Sequence, residues 1–249
     1  MRASCRKLIQ QTNENMASLS SIEKRLLKGF MVATVVAFFV MIISVATDYW
    51  LILDLKTGFY RNASDSFLLK SYSGLWRICR IEVTNHSRGF RKHERCSPLK
   101  FYPSYKEVEN NPEIDYGILN YSRTVTAFAI MSLVLMIMGC GFALYTFWEP
   151  RYMFKRLAAF LHIMSAVCVL VCIEVLMTSM EYTAEHLPAR FPKTAYLHYG
   201  FSFGFAWIVF LVYLSAGAVF LFASRKRKGE NAPSETVAEA NEPLHLGRV

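Results

Sequence analysis

The chain has 249 residues, of which 53% are apolar or aromatic and 19% charged, with 28 Lys+Arg against 19 Asp+Glu. The apolar residues are gathered in four long blocks, 29–47, 124–148, 157–180 and 199–224. Each meets the roughly 18–20 mostly apolar residues needed to cross a ~30 Å hydrocarbon core. This pattern excludes a soluble enzyme, a disordered chain and a transmembrane β-barrel, and predicts an all-α transmembrane four-helix bundle.

The segment 1–28 is polar and carries Arg2, Arg6, Lys7, Lys24, Arg25 and Lys28. The connection 149–156 carries Arg151, Lys155 and Arg156, and the fourth block runs directly into Arg225-Lys226-Arg227-Lys228. The connection 181–198 holds only Arg190 and Lys193. The positive-inside rule therefore predicts both termini in the cytoplasm and 48–123 and 181–198 outside, in the plasma membrane. The 12 basic residues of 48–123 count little, because long loops translocate regardless of charge. The net charge of +9 thus reads as orientation and contact with anionic lipid, not as nucleic-acid binding. The polar 1–28 predicts no cleavable signal peptide, and the polar tail 225–249 reads as disordered.

The first loop, 48–123, holds three sequons: Asn62-Ala63-Ser64, Asn85-His86-Ser87 and Asn120-Tyr121-Ser122. All fall on the side assigned outside; Asn62 and Asn85 are the favoured acceptors, while Asn120 sits too near the second span for sugar to be expected. Residues 72–83 alternate apolar and polar with β-branched and aromatic types, which reads as one strand. The stretch from 110 to 117 reads as turn, with Asn111-Pro112 its strongest signal. A small extracellular antiparallel sheet, built mainly by the first loop and capping the bundle, is the expected result.

Of six cysteines, Cys5 lies in the cytoplasmic segment and Cys140, Cys168 and Cys172 lie in spans, where a thiol packs as a small hydrophobe. Only Cys79 and Cys96 face the oxidising side, which predicts one disulfide worth about 3 kcal/mol in the chain-entropy model. The alternative, a zinc site with His86 and His93, lacks any recognised ligand spacing.

Trp50 after the first span, Gly74-Leu75-Trp76, Cys79 and Cys96 together resemble the W-GLW-C-C signature of the claudin superfamily, which includes claudins, peripheral myelin protein, epithelial membrane proteins and the calcium-channel gamma subunits. The resemblance covers roughly 29–225 and implies a left-handed four-helix bundle under an extracellular sheet. Its motif residues read first as scaffold. Trp76 suits the membrane surface, with an indole N–H that needs a partner, and Gly74 suits close backbone approach.

Several features lean toward the gamma-subunit branch. Tyr199-Gly200-Phe201-Ser202-Phe203 is similar to that branch's Y-G-W-S-F, with Phe201 in place of the tryptophan, and Gly200 and Gly204 read as a small-xxx-small face for helix contact. The long first loop and the acidic residue in Val171-Cys172-Ile173-Glu174-Val175 also resemble that branch. The terminal Leu246-Gly247-Arg248-Val249 lacks the Ser or Thr of a type I PDZ ligand.

Glu174 lies six residues from the end of its block, roughly 9 Å deep at 1.5 Å per residue. Intramembrane carboxylates are costly and face a bundle interior or a partner. The favoured expectation is a protonated or hydrogen-bonded carboxyl inside this bundle; the sharper one is contact with a channel helix. His162 is expected to be a packed or interface histidine that does not share a face with Glu174. Arg88, Arg91, Lys92 and Arg95 read as a solvated hairpin tip, with contact to an acidic partner ectodomain as the functional alternative.

No catalytic constellation, phosphate loop or metal spacing is present, and no cofactor is expected. The resemblance implies an auxiliary subunit that binds a pore-forming channel subunit, a calcium channel before a glutamate receptor, and shifts gating or trafficking. A claudin-like contact or barrier protein and an orphan membrane organiser are the competing expectations.

Overall fold

In the computed structural model, residues 2–61, 66–86, 89–110, 115–148, 152–187 and 195–224 are described. The elements run α1 (Arg2–Ala46), β1 (Leu51–Arg61), β2 (Ser66–Ser73), β3 (Arg77–His86), β4 (Gly89–Pro98), α2 (Tyr105–Asn110), α3 (Tyr116–Trp148), α4 (Tyr152–His186), β5 (Ala195–Tyr199) and α5 (Phe201–Ala223). Among the described residues, four helices are long and apolar enough to cross a membrane: Arg25–Ala46 within α1, Tyr116–Phe147, Met153–His186 and Phe201–Ala223.

The helices outrun the apolar blocks. The polar 1–28 is continuous with the first span in α1. The next helix begins at Tyr116, inside the stretch expected as turn, because Asp115 caps it: its Oδ2 accepts the Gly117 amide at 3.0 Å. Residues 111–114, including the Asn111-Pro112 signal, lie outside the described residues. The same Asp115 oxygen accepts the Tyr182 hydroxyl at 2.8 Å, which ties α3 to α4, and α4 continues to His186.

In the bundle, α4 lies between α3 and α5, and α1 packs on α5 and α3. Within the membrane, burial against a partner helix gains nothing over burial in lipid tails, so close approach and hydrogen bonds must hold the helices. Fully buried alanines supply the approach: Ala129 and Ala143 on α3, Ala159 and Ala166 on α4, Ala206 and Ala216 on α5. At the tightest point Gly217 of α5 meets α4, where a Cβ would lie 2.5 Å from Ile163 Cγ1. Polar ties add direction: the Tyr213 hydroxyl donates to the Thr34 carbonyl (3.0 Å), and the Ser44 hydroxyl to the Ser202 carbonyl (2.8 Å).

Among the described residues the sheet is five-stranded and antiparallel, in the order β4-β3-β2-β1-β5. Four strands come from the first loop and β5 from the second, so both loops build one cap over one end of the bundle. The single strand expected over 72–83 is in fact two. Tyr72 and Ser73 end β2, Gly74-Leu75-Trp76 turns the chain, and β3 starts at Arg77. The turn is closed by the Gly74 amide on the Arg77 carbonyl at 2.9 Å.

Candidate partner-binding surface

The sequence motif converges on the C-terminal end of α1. A helix leaves its last carbonyls without intrahelical donors. Two of them are met by indoles: Trp50 Nε1 donates to the Ser44 carbonyl (2.7 Å) and Trp76 Nε1 to the Val45 carbonyl (2.9 Å). Trp50 is fully buried, whereas Trp76 stays 36% exposed and meets Phe101 edge-on. Leu75 between them is buried. Gly74 presses on the chain just after α1, and a Cβ there would lie 2.7 Å from Asp48 Cα and 2.9 Å from the Thr47 carbonyl. Asp48 is itself pinned, its Oδ2 lying 2.6 Å from Arg77 Nη2.

From this turn β3 carries Cys79, which faces Cys96 across the β3–β4 ladder and is joined to it as a disulfide. The expected pairing holds, and both thiols are consumed in it, so the zinc alternative with His86 and His93 falls. On the other side, β5 hands the chain to α5 through Gly200. Its amide donates to the Trp50 carbonyl (3.0 Å), and a Cβ at this position would overlap the Tyr49 carbonyl.

The match to known proteins agrees with this geometry. Residues 35–222 match the family described as PMP-22/EMP/MP20/Claudin tight junction. The chain belongs to this family. Membership places it among structural and auxiliary membrane proteins, not enzymes. Within the claudin-like proteins it is similar to calcium-channel gamma subunits. The mouse voltage-dependent calcium channel gamma-1 subunit is 24% identical over 225 residues, covering 85% of this chain and 96% of the relative. The human gamma-7 subunit is 26% identical over 191 residues, 76% of this chain and 66% of the relative. The mouse gamma-5 subunit is 28% identical over 188 residues, 74% and 65% respectively. The chain thus spans just under two thirds of the gamma-7 and gamma-5 subunits.

The remaining candidate residues are distributed around this claudin-like core. Glu174 is exposed on α4, not turned into the bundle, so an internally bonded carboxyl is not what the structure holds. Because α4 runs on to His186, Glu174 lies roughly 18 Å below that helix end at 1.5 Å per residue. Thr178, Glu181 and Glu185 share its exposed ridge at helical spacing. Gly200 and Gly204 do not form a common face. Gly200 is the N-cap before α5, while a Cβ on Gly204 would meet nothing within 4 Å.

Arg91, Lys92 and Arg95 are exposed along β4, the edge strand of the β3–β4 hairpin, with Arg91 and Lys92 close to its tip and Arg95 further down the ladder; Arg88 lies outside the described residues. Asn62 also lies outside them, Asn85 is on β3, and Asn120 is exposed on α3 with its Oδ1 accepting from Arg123 Nη1 at 3.2 Å.

Two anchors escaped the sequence reading. Arg123 donates to the Phe101 carbonyl from Nε (2.8 Å) and Nη2 (2.5 Å) and lies 4.5 Å over the Tyr102 ring, which fixes the descent from the sheet into α3. A stack of Tyr72, Tyr49 and Phe201, with centroids 5.0 and 5.2 Å apart, rings the junction in the manner of an interfacial aromatic belt. Here Phe201 does the stacking with no N–H to satisfy. His162, expected to be packed, is fully buried against Tyr213 and Phe220 at 5.4 and 5.5 Å, and neither ring nitrogen has a hydrogen-bond partner among the described residues.

Proposed function

We propose that the chain is an auxiliary subunit that docks on the pore-forming subunit of an ion channel, a voltage-gated calcium channel in the first instance, and shifts its gating or trafficking. Both termini lie in the cytoplasm of a plasma-membrane protein, and the sheet lies outside with sugar at Asn62 and Asn85. The basic residues flanking the spans at the end opposite the sheet support this orientation.

The observation that carries the reading is Glu174. A carboxyl at membrane depth is expensive, and here it stands on the exposed ridge of α4 with no side-chain partner among the described residues. A basic or polar group on a neighbouring protein's helix would relieve that cost. The similarity along 96% of the gamma-1 length supports a channel as that neighbour. Modulation then follows if the docked helix binds two channel states with different affinity.

The test is affinity purification of the tagged chain in mild detergent with mass spectrometry of the eluate. The expected result is a pore-forming subunit at near-equal amount from wild type and a much weaker yield from Glu174→Gln at unchanged surface expression. Recovery of only its own copies or of junctional proteins, with strands at contacts between transfected cells, would replace this reading with the claudin-like barrier one.

A further inference from the structure

Between the sheet and the helix ends lies a cavity of about 110 Å³. That is of the order of engineered protein cavities that take up a benzene-sized apolar group. Its roof is hydrocarbon, with Leu51, Leu53 and Leu68 from the strands and Leu75 from the motif turn. Its floor carries the hydroxyls of Ser122 and Thr126 on α3 and of Ser179 and Thr183 on α4.

Three of those hydroxyls differ from the rest of the two helices. A serine or threonine inside a helix commonly turns its hydroxyl back onto a carbonyl of the preceding turn. Thr124, Ser132, Thr146, Ser165, Thr178 and Thr183 all do so, at 2.6–3.0 Å. Ser122, Thr126 and Ser179, the other hydroxyls on α3 and α4, make no side-chain hydrogen bond among the described residues, and all three line the cavity. Thr126 is only 8% exposed, and a buried hydroxyl left unbonded is costly.

The wall offers a ligand no spare charge among the described residues. Arg80, its charged member, already has a partner, and Glu82 on the same side of β3 accepts the Ser66 hydroxyl at 3.0 Å. Water answers only the floor, because a buried water needs several polar partners and the leucine roof has none. Ser122 and Thr126 bracket the start of the apolar block 124–148, and Ser179 lies at the end of the block 157–180. That is the level at which hydrocarbon gives way to lipid head groups.

We propose that this cavity binds a monoacylglycerol-type lipid, an uncharged amphiphile with one chain. Its glycerol and ester oxygens bond Ser122, Thr126 and Ser179, and its first methylenes lie under the leucine roof. Leu176 and Met180, half-buried in the same wall, lead the rest of the chain out to lipid. A chamber of this size has no room for a fused ring system or a second chain. These residues lie off the Glu174 ridge, so the site stands or falls apart from channel docking.

The test irradiates the full chain in phospholipid nanodiscs with a monoacylglycerol carrying a diazirine near its ester, with crosslinks mapped by mass spectrometry. Labelling is expected on the α3 and α4 peptides that line the cavity, and unlabelled monoacylglycerol should chase it. The combined variant Ser122→Ala, Thr126→Val and Ser179→Ala removes hydroxyls that hold nothing else in the fold. Its thermal midpoint should stay or rise while that labelling falls about tenfold. Ser179→Leu, which fills the chamber, should abolish the labelling by bulk. Labelling indifferent to the combined variant, a lowered midpoint in it, or an equal chase by the matching fatty carboxylate or by cholesterol would overturn the proposal. Labelling confined to lipid-facing surfaces would overturn it too, and would leave the floor to water.

Discussion

At the sheet end of the bundle the last turn of α1 is held by bonds with direction: two indole N–H groups on its carbonyls, an Asp48–Arg77 ion pair, the Thr47 and Ser202 hydroxyls 2.7 Å apart, and a disulfide in the ladder beyond. At the opposite end Leu27, Ala143, Ala158, Ala159 and Phe220 pack by shape, and His162 is buried nearby with neither ring nitrogen hydrogen-bonded among the described residues. The difference follows from what each end must do. The sheet end fixes a five-stranded cap on helices that have no hydrophobic drive to associate, so it needs specific bonds. The other end needs only close contact, which alanine and glycine give.

The most severe way to break the sheet end is at Gly200. Its added Cβ would overlap backbone, which cannot swing aside as a side chain can. Gly200→Ala is expected to cost about 3 kcal/mol or more, at the upper end of overpacking effects, and to leave little monodisperse protein after extraction. Gly204→Ala, only four residues on but facing open space, should purify like wild type. If the two behaved alike, the junction would not be the constraint.

The disulfide comes next. Cys79 and Cys96 are 17 residues apart, and replacing both by alanine should remove about 3 kcal/mol, read as a lower thermal midpoint in micelles. Reduction of the wild type should reproduce the shift.

A paired substitution sharpens the contrast between the ends. Trp50→Phe removes the closer of the two donors on the Ser44 carbonyl, leaving the Thr47 hydroxyl at 3.1 Å, and should cost about 1 kcal/mol. His162→Leu removes a buried polar ring that has no partner, so it should be neutral or stabilising for the same reason. Thermal unfolding of both variants checks this. A destabilised His162→Leu would mean that the far end also relies on a polar bond.

The four spans were legible because crossing hydrocarbon demands length and apolarity together. The disulfide was legible from compartment alone. The helix ends were not, since hydropathy reports the membrane and not the helix: Tyr116–Arg123 and Glu181–His186 are polar turns that continue α3 and α4 beyond the apolar blocks. The Asp115 cap was a readable signal for the first of these. The strand reading of 72–83 failed because strand-type residues lie on both sides of Gly74-Leu75-Trp76, and the glycine with the adjacent Leu75-Trp76 pair, which breaks the alternation, was the sign of the turn. The spacing of Gly200 and Gly204 suggested a helix face, but an N-cap position does not follow helical periodicity. The exposed side of Glu174 was beyond reach for a physical reason. A helix that is apolar all round does not mark which face meets its neighbours.

Ser104-Tyr105-Lys106-Glu107 is a capping-box pattern that also went unread, and it supports the smallest prediction. Glu107 accepts the Ser104 amide at 3.3 Å and the Lys100 ammonium at 2.6 Å. The hydrogen bond from Lys100 is the main cause that holds its carboxyl below the usual carboxylate range. A group whose folded pKa is depressed stabilises above its unfolded value, about 4.3 for Glu, and loses that contribution as pH falls through the folded value. Acidification should therefore release the amides of α2 to exchange, after correction for intrinsic rates, while the bundle's thermal midpoint stays put. Glu107→Gln should remove that pH dependence and leave the α1 junction untouched, because an exposed pair screened by water acts only on its own turn.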